Sequence, residues 1–135
     1  ARDLGVDEHI EFTGWLTREA AVQRLQKADI AVAPFLNIEP FYFDPVKVLD
    51  YMAAGLPVIA SDIERIAEML DSGRVGLLVP PGDVAALAEA MVALAKDESG
   101  RLRLGSAARD IIERNYSRQA IAEDVLALCR EAAAG

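Results

Sequence analysis

At 135 residues the chain is long enough to bury a core without disulfide or metal staples, and 53% hydrophobic with 27% charged residues describes a folded domain rather than a disordered one. A formal charge of −8 with no basic stripe argues against nucleic acid as a partner, although a helix terminus and one cation can still hold a phosphate locally. The single histidine, His9, and single cysteine, Cys129, argue against a His-rich metal site, a His–Cys catalytic pair and a disulfide framework. They favour a reducing, cytoplasmic setting, and no apolar run approaches the length of a membrane span.

Taken in chain order, "ARDLG" reads as the end of a helix closed by Gly5, whose beginning would lie upstream. "HIEFTG" alternates and predicts a strand at about 9–13. Thr17 is the expected N-cap of a helix with Ala20, Ala21, Leu25 and Ala28 at helical spacing. "DIAVAPF" fits a buried strand at 29–34, followed by a loop over 35–43. Asp44 as N-cap and Pro45 at the first helical position open the next helix, and Gly55 closes it. "LPVIAS" is the third strand, "DIERIAEMLDSG" a short helix capped by Asp62, and "VGLLVP" the fourth strand. After the "PPGD" turn, Val84, Leu87, Ala88, Met91 and Ala95 form one apolar stripe of a helix. Two amphipathic helices follow, at 98–114 and 118–133, with Ser117 capping the second. Met52, Met69 and Met91 are expected core residues, and Trp15 is expected to pack at a strand end. Strand–helix alternation four times over, then helices alone, predicts an α/β fold: a Rossmann-like, doubly wound parallel sheet of about four strands with C-terminal helices.

In such sheets ligands bind at the carboxyl ends of the strands. The loop 35–43 and the helix start at Asp44 occupy that edge, and Lys47 and Asp50, about 60° apart, share a helix face. A lysine in a first turn opposes the helix macrodipole by roughly 0.3–1 kcal/mol. An anion bound at the free N–H groups reverses that sign, and Asp50 can then accept hydrogen bonds from hydroxyls beside it. A phosphate beside a diol describes a nucleotide. The plainer alternative is a solvated Lys–Asp pair at i, i+3. No Gly-rich phosphate fingerprint is present.

The stretch "PVKVLDYMAAGLPVIASDIERIAEMLDSGRVGLLVPPGD", with "IEFTGWL", "LQKADIAVAPF" and a late "YS", resembles the donor-binding half of group 1 glycosyltransferases, retaining enzymes of the GT-B fold. The resemblance spans nearly the whole chain. It implies a hexosyltransferase that moves a glycosyl group from a nucleotide-diphosphate sugar to a sugar, lipid or small-molecule acceptor, with no cofactor and no metal. It also implies that Asp50 holds the ribose, that Lys47 and the amides near Phe43, Pro45 and Val46 hold the phosphates, and that Gly14, Trp15 and Leu16 flank the base. Two departures stand out. The ribose acid is the shorter aspartate, and the family's earlier glutamate falls at Tyr42, with Glu39 three residues further upstream, so either could face the donor sugar.

The resemblance further implies that residues 1–135 are part of the C-terminal domain of a longer enzyme. The acceptor-binding N-terminal domain would be absent, and the piece alone inactive and inclined to self-associate through exposed sheet edge and apolar surface. A longer parent could work at the inner membrane surface. The competing readings are a non-catalytic α/β nucleotide- or phosphate-binding module and a GT-B-related sugar-nucleotide epimerase or phosphorylase.

Overall fold

The computed structural model describes residues 2–36 and 45–134. Three parallel strands, β1 (Ala31–Ala33), β2 (Val58–Ser61) and β3 (Leu77–Val79), lie side by side in that order. Ala31 pairs with Val58 and Ile59 with Leu77. Helix α2 (Val46–Ala53) connects β1 to β2, and α3 (Glu64–Met69) connects β2 to β3. Beyond the sheet come α4 (Val84–Lys96), α5 (Glu98–Asn115) and α6 (Arg118–Ala134).

Side chains of successive strand residues point to opposite faces, and both faces are covered. Ala33, Val58 and Ala60 pack with Val48 and Met52 of α2 and Ile66 and Met69 of α3. Ile59, Val79 and the half-buried Val32 and Leu77 pack on the other side with Leu94 of α4 and Leu104 of α5. All four residues of β2 are buried, as expected of a central strand that reads as an unbroken apolar run.

The strand expected at 9–13 is not formed, so the described sheet has three strands rather than four. A one-turn 3₁₀ segment, Asp7–His9, precedes a stretch with no ladder partner. Among the described residues no strand flanks it, and alternation alone cannot satisfy its backbone groups. Glu11 turns instead to an ion pair with Arg24 of α1 (Arg18–Leu25), which holds the carboxyl below its ordinary value. Gly5 has the positive φ expected of it, but the turn it closes, Arg2–Leu4, is 3₁₀.

Thr17 caps α1 by accepting the Ala20 N–H at 3.3 Å, and Ser117 caps α6 by accepting the Ala120 N–H at 3.1 Å. Pro45 stands one position earlier than expected. Its ψ of 61° is not helical, and its carbonyl accepts the Val48 N–H to start α2. Asp62 does not cap α3: its own N–H still belongs to the sheet, donating to Val79 O at 2.8 Å, and the cap position passes to Ile63.

Helix α4 is rotated from the expected stripe. Its inward face is Ala86, Leu87, Ala90 and Leu94, while Val84 is 78% exposed and Met91 42% exposed. In "VAALAEAMVALA" small apolar residues occur all round, so periodicity leaves the inward face open. The leucines choose it by filling volume against Ile59 and Val79. Met52 and Met69 are buried as expected.

Helix α2 ends in a Schellman turn. Gly55 adopts φ +73° and donates to Met52 O at 2.9 Å, and Leu56 donates to Tyr51 O at 3.1 Å. Helix α5 crosses this turn at Gly105, where an added Cβ would overlap the Gly55 carbonyl oxygen. At an uncrowded helical site Gly→Ala gains up to about 1 kcal/mol. Here Gly105→Ala should lose about 1–3 kcal/mol from overpacking. Urea unfolding of the variant checks the sign, and a gain would mean that the two helices separate freely.

Asp97 joins α4 to α5. Its carboxylate accepts the Gly100 N–H and the Ser99 hydroxyl, each at 2.8 Å, while Arg101 reaches back to Leu94 O at 2.7 Å. The Gly100 N–H, then Ser99, then Arg103 and Arg101 hold the Asp97 carboxyl below its ordinary value of 3.8. A depressed carboxyl stabilises the fold above its unfolded value, and that contribution disappears as pH falls through the folded one. Asp97→Asn should therefore show a shallower drop in Tm than the unsubstituted protein as pH is lowered below about 4, measured by thermal melts across that range.

Candidate functional site

The carboxyl ends of the strands are built from the chain leaving β1 at Pro34–Leu36, the end of β2 at Ser61, and the start of α2. Ser61 is 2% exposed, and its hydroxyl grips the Phe35 backbone on both sides. Ser61 Oγ accepts the Phe35 N–H at 2.8 Å and donates to the Phe35 carbonyl at 2.8 Å. The half-buried Phe35 ring packs on the α2–α3 core, and the Lys47 Nζ sits 4.6 Å from its centroid. Among the described residues the lysine is matched with this ring, not with Asp50.

Asp50 lies one turn further along the same helix, exposed, and lines a groove of about 640 Å³ bounded by α1, α2 and α5. Arg18, Val22, Leu25, Ala53 and Arg109 are its other principal walls, and Arg109 donates to Glu113 at 3.0 Å. Burial, with the neighbouring Asp50 carboxylate adding to it, pushes the Tyr51 phenol above its ordinary value.

Gly14, with φ +61°, Trp15 and Leu16 form the turn that delivers the chain to the cap Thr17 and, after it, the groove-lining Arg18 of α1. Trp15 is 97% exposed and does not pack against the described residues, contrary to its expected structural role; Leu16 is half-buried. Pro45 is buried beneath the start of α2 and Val46 is exposed beside it. The structure thus brings Lys47, Asp50, Pro45 and Val46 to one helix, with the Gly14–Leu16 turn leading into α1, one wall of Asp50's groove. Glu39, Tyr42, Phe43 and Asp44 lie outside the described residues. A smaller, mainly apolar depression of about 230 Å³ opens at the same edge between Phe35, Leu36, Val79, Pro80, Val84 and Leu87.

Sequence reasoning passed over Ser61 and Phe35. The signal was there for Ser61: a hydroxyl at the end of an otherwise apolar buried strand requires a partner. Arg18 and Arg109 carried no comparable signal, since both look like ordinary charges on exposed helix faces. Among the described residues no cluster of three His, Cys, Asp or Glu side chains could hold a metal ion, and no helix is long and apolar enough to cross a membrane.

Residues 1–97 match the family described as "Glycosyl transferases group 1". The chain belongs to that family. It is 36% identical over 122 residues to a phosphatidyl-myo-inositol mannosyltransferase of Mycobacterium leprae, covering 90% of this chain and 32% of the relative. Against a D-inositol 3-phosphate glycosyltransferase of Corynebacterium efficiens it is 33% identical over 134 residues, covering 98% of this chain and 30% of the relative. The structure superposes on sucrose-phosphate synthase from Thermosynechococcus elongatus with a TM-score of 0.83 at 28% identity, covering 98% of this chain and 32% of that one.

This group 1 chain therefore spans about a third of the length of these relatives. The structural likeness bears out the α/β class and the C-terminal half of a GT-B architecture, with the strand count corrected as above.

Proposed function

We propose that this chain forms the donor-binding side of a glycosyltransferase, which transfers a hexosyl group from a nucleoside-diphosphate sugar to an acceptor with retention of configuration and without a metal. One observation carries the reading. A lysine stands in the first turn of α2 at the strand edge, and an acid one turn deeper faces a groove walled in part by α1, the helix into which the Gly14–Leu16 turn leads. Lys47 and the N–H groups at the start of α2 receive the diphosphate. Asp50 accepts hydrogen bonds from the ribose hydroxyls, and Gly14, Trp15 and Leu16 flank the base. Glu39 or Tyr42, with Phe43, faces the donor sugar and its phosphates. Charge that develops on the departing diphosphate is then met by a fixed cation and a helix N-terminus, which need no rearrangement at the moment of bond cleavage. Relatives named as a mannosyltransferase and a glycosyltransferase favour a hexosyl donor.

Calorimetric titration of UDP and GDP into the protein at its full encoded length tests the site. Lys47→Ala should weaken the preferred nucleotide by about tenfold to a hundredfold, the loss of a hydrogen bond to a charged group. Unchanged affinity removes Lys47 from the phosphate site.

Asp50→Asn should weaken ribonucleotides while leaving 2′-deoxynucleotides nearly unaffected, and should leave thermal stability intact because the side chain is exposed. Equal affinity of the unsubstituted protein for the ribo and 2′-deoxy forms would remove the ribose role.

A further inference from the structure

Lys47 is held in an unfavourable place, and two residues at the neighbouring strand ends explain how. In the first turn of α2 its ammonium meets the positive end of the helix macrodipole, which pushes it toward solvent. The negative face of the Phe35 ring, 4.6 Å from Nζ, offers the opposing attraction. That ring can serve only if the chain leaving β1 is itself fixed. The regular pairing of β1 with β2 ends at Ala33 and Ala60, two residues short of Phe35. Ser61 supplies one more rung with its side chain, accepting the Phe35 N–H and donating to the Phe35 carbonyl, both at 2.8 Å, from a site that is 2% exposed. A buried hydroxyl with both its donor and acceptor roles used by one residue leaves that residue little freedom.

We infer that Ser61 and Phe35 are positioning residues for Lys47: the Ser61 hydroxyl locks the Phe35 backbone, and the Phe35 ring pre-sets the ammonium at the start of α2 before a ligand arrives. The inference rests on the reading of Lys47 as the diphosphate contact. A lysine already held near its working position loses less side-chain freedom on binding than one that must be collected from solvent. Neither Ser61 nor Phe35 needs to touch the ligand for this effect.

The test is a double-mutant cycle read by calorimetry with UDP or GDP, whichever the unsubstituted protein binds more tightly, at full encoded length. Phe35→Leu should weaken binding about two- to fivefold, the size of an exposed cation–π contact, and Phe35→Tyr should retain it. In the Lys47→Ala background Phe35→Leu should have no further effect, because there is no ammonium left to position. The ligand-free protein gives a second readout. The Lys47 ε-methylene protons should carry an upfield ring-current shift in the NMR spectrum, lost in Phe35→Leu and reduced in Ser61→Ala but kept in Ser61→Thr. Should Ser61→Ala fail to fold, the Phe35 cycle and the Phe35→Leu spectrum still decide.

Strictly additive losses in the cycle, or an ε-methylene shift indifferent to Phe35→Leu, overturn the positioning role while the diphosphate assignment of Lys47 stands. A Lys47→Ala variant with unchanged affinity overturns that assignment and the positioning role with it.

Discussion

The site depends on a single close approach between two backbones. Where α5 crosses the end of α2, Gly105 has room for a hydrogen and nothing larger beside the Gly55 carbonyl. This contact presses α2 onto the sheet and seals Val48, Met52 and Ala108 into the core between them. Had the helices been held apart by a methyl group, α2 would pivot, and its opposite end, which carries Lys47, would move with it. The placement of the helix that carries the cation thus depends in part on a glycine packed against its other end.

Helix α2 divides its two faces sharply. Val48 and Met52 are fully buried, while Lys47 and Asp50 are exposed. The core face provides stability through removal of apolar area from water, so the outer face is free to carry charges whose arrangement is poor for an isolated helix. A first-turn lysine with no acid in that turn is tolerated because the buried face already holds the helix in place. Local rules broken at an otherwise consistent element are a mark of a functional edge rather than of a weak fold.

Much of this was legible in the residues. Thr17, Ser117 and Gly55 announced their helix ends through chemistry that acts within a few residues, and the apolar runs at 29–34 and 56–61 marked buried parallel strands. The errors fall where the outcome depends on distant partners. The stretch around Glu11 alternates like a strand, yet its state depends on whether another strand stands beside it. Helix α4 is apolar on nearly every side, so only the volumes of Leu87 and Leu94 against Ile59 and Val79 select its inward face. Asp62 is a good cap by type but is still hydrogen-bonded into the sheet through its backbone. The Ser61–Phe35 clasp links residues 26 positions apart, beyond the reach of any local pattern.

Asp97 has a geometric consequence of its own. It belongs to the end of α4 and the start of α5 at once, so the two helices meet at an elbow with no spacer. Gly105 lies eight residues beyond it, about 12 Å along the helix. Over that radius a tilt of about 10° at the elbow displaces Gly105 by about 2 Å, comparable with the room denied to a methyl group. A tilt of that size at the joint is therefore enough to open or crush the contact between Gly105 and Gly55. A residue inserted or deleted there would be felt less as a longer or shorter connection than as a mis-set goniometer, with the error read out at the far end of α2.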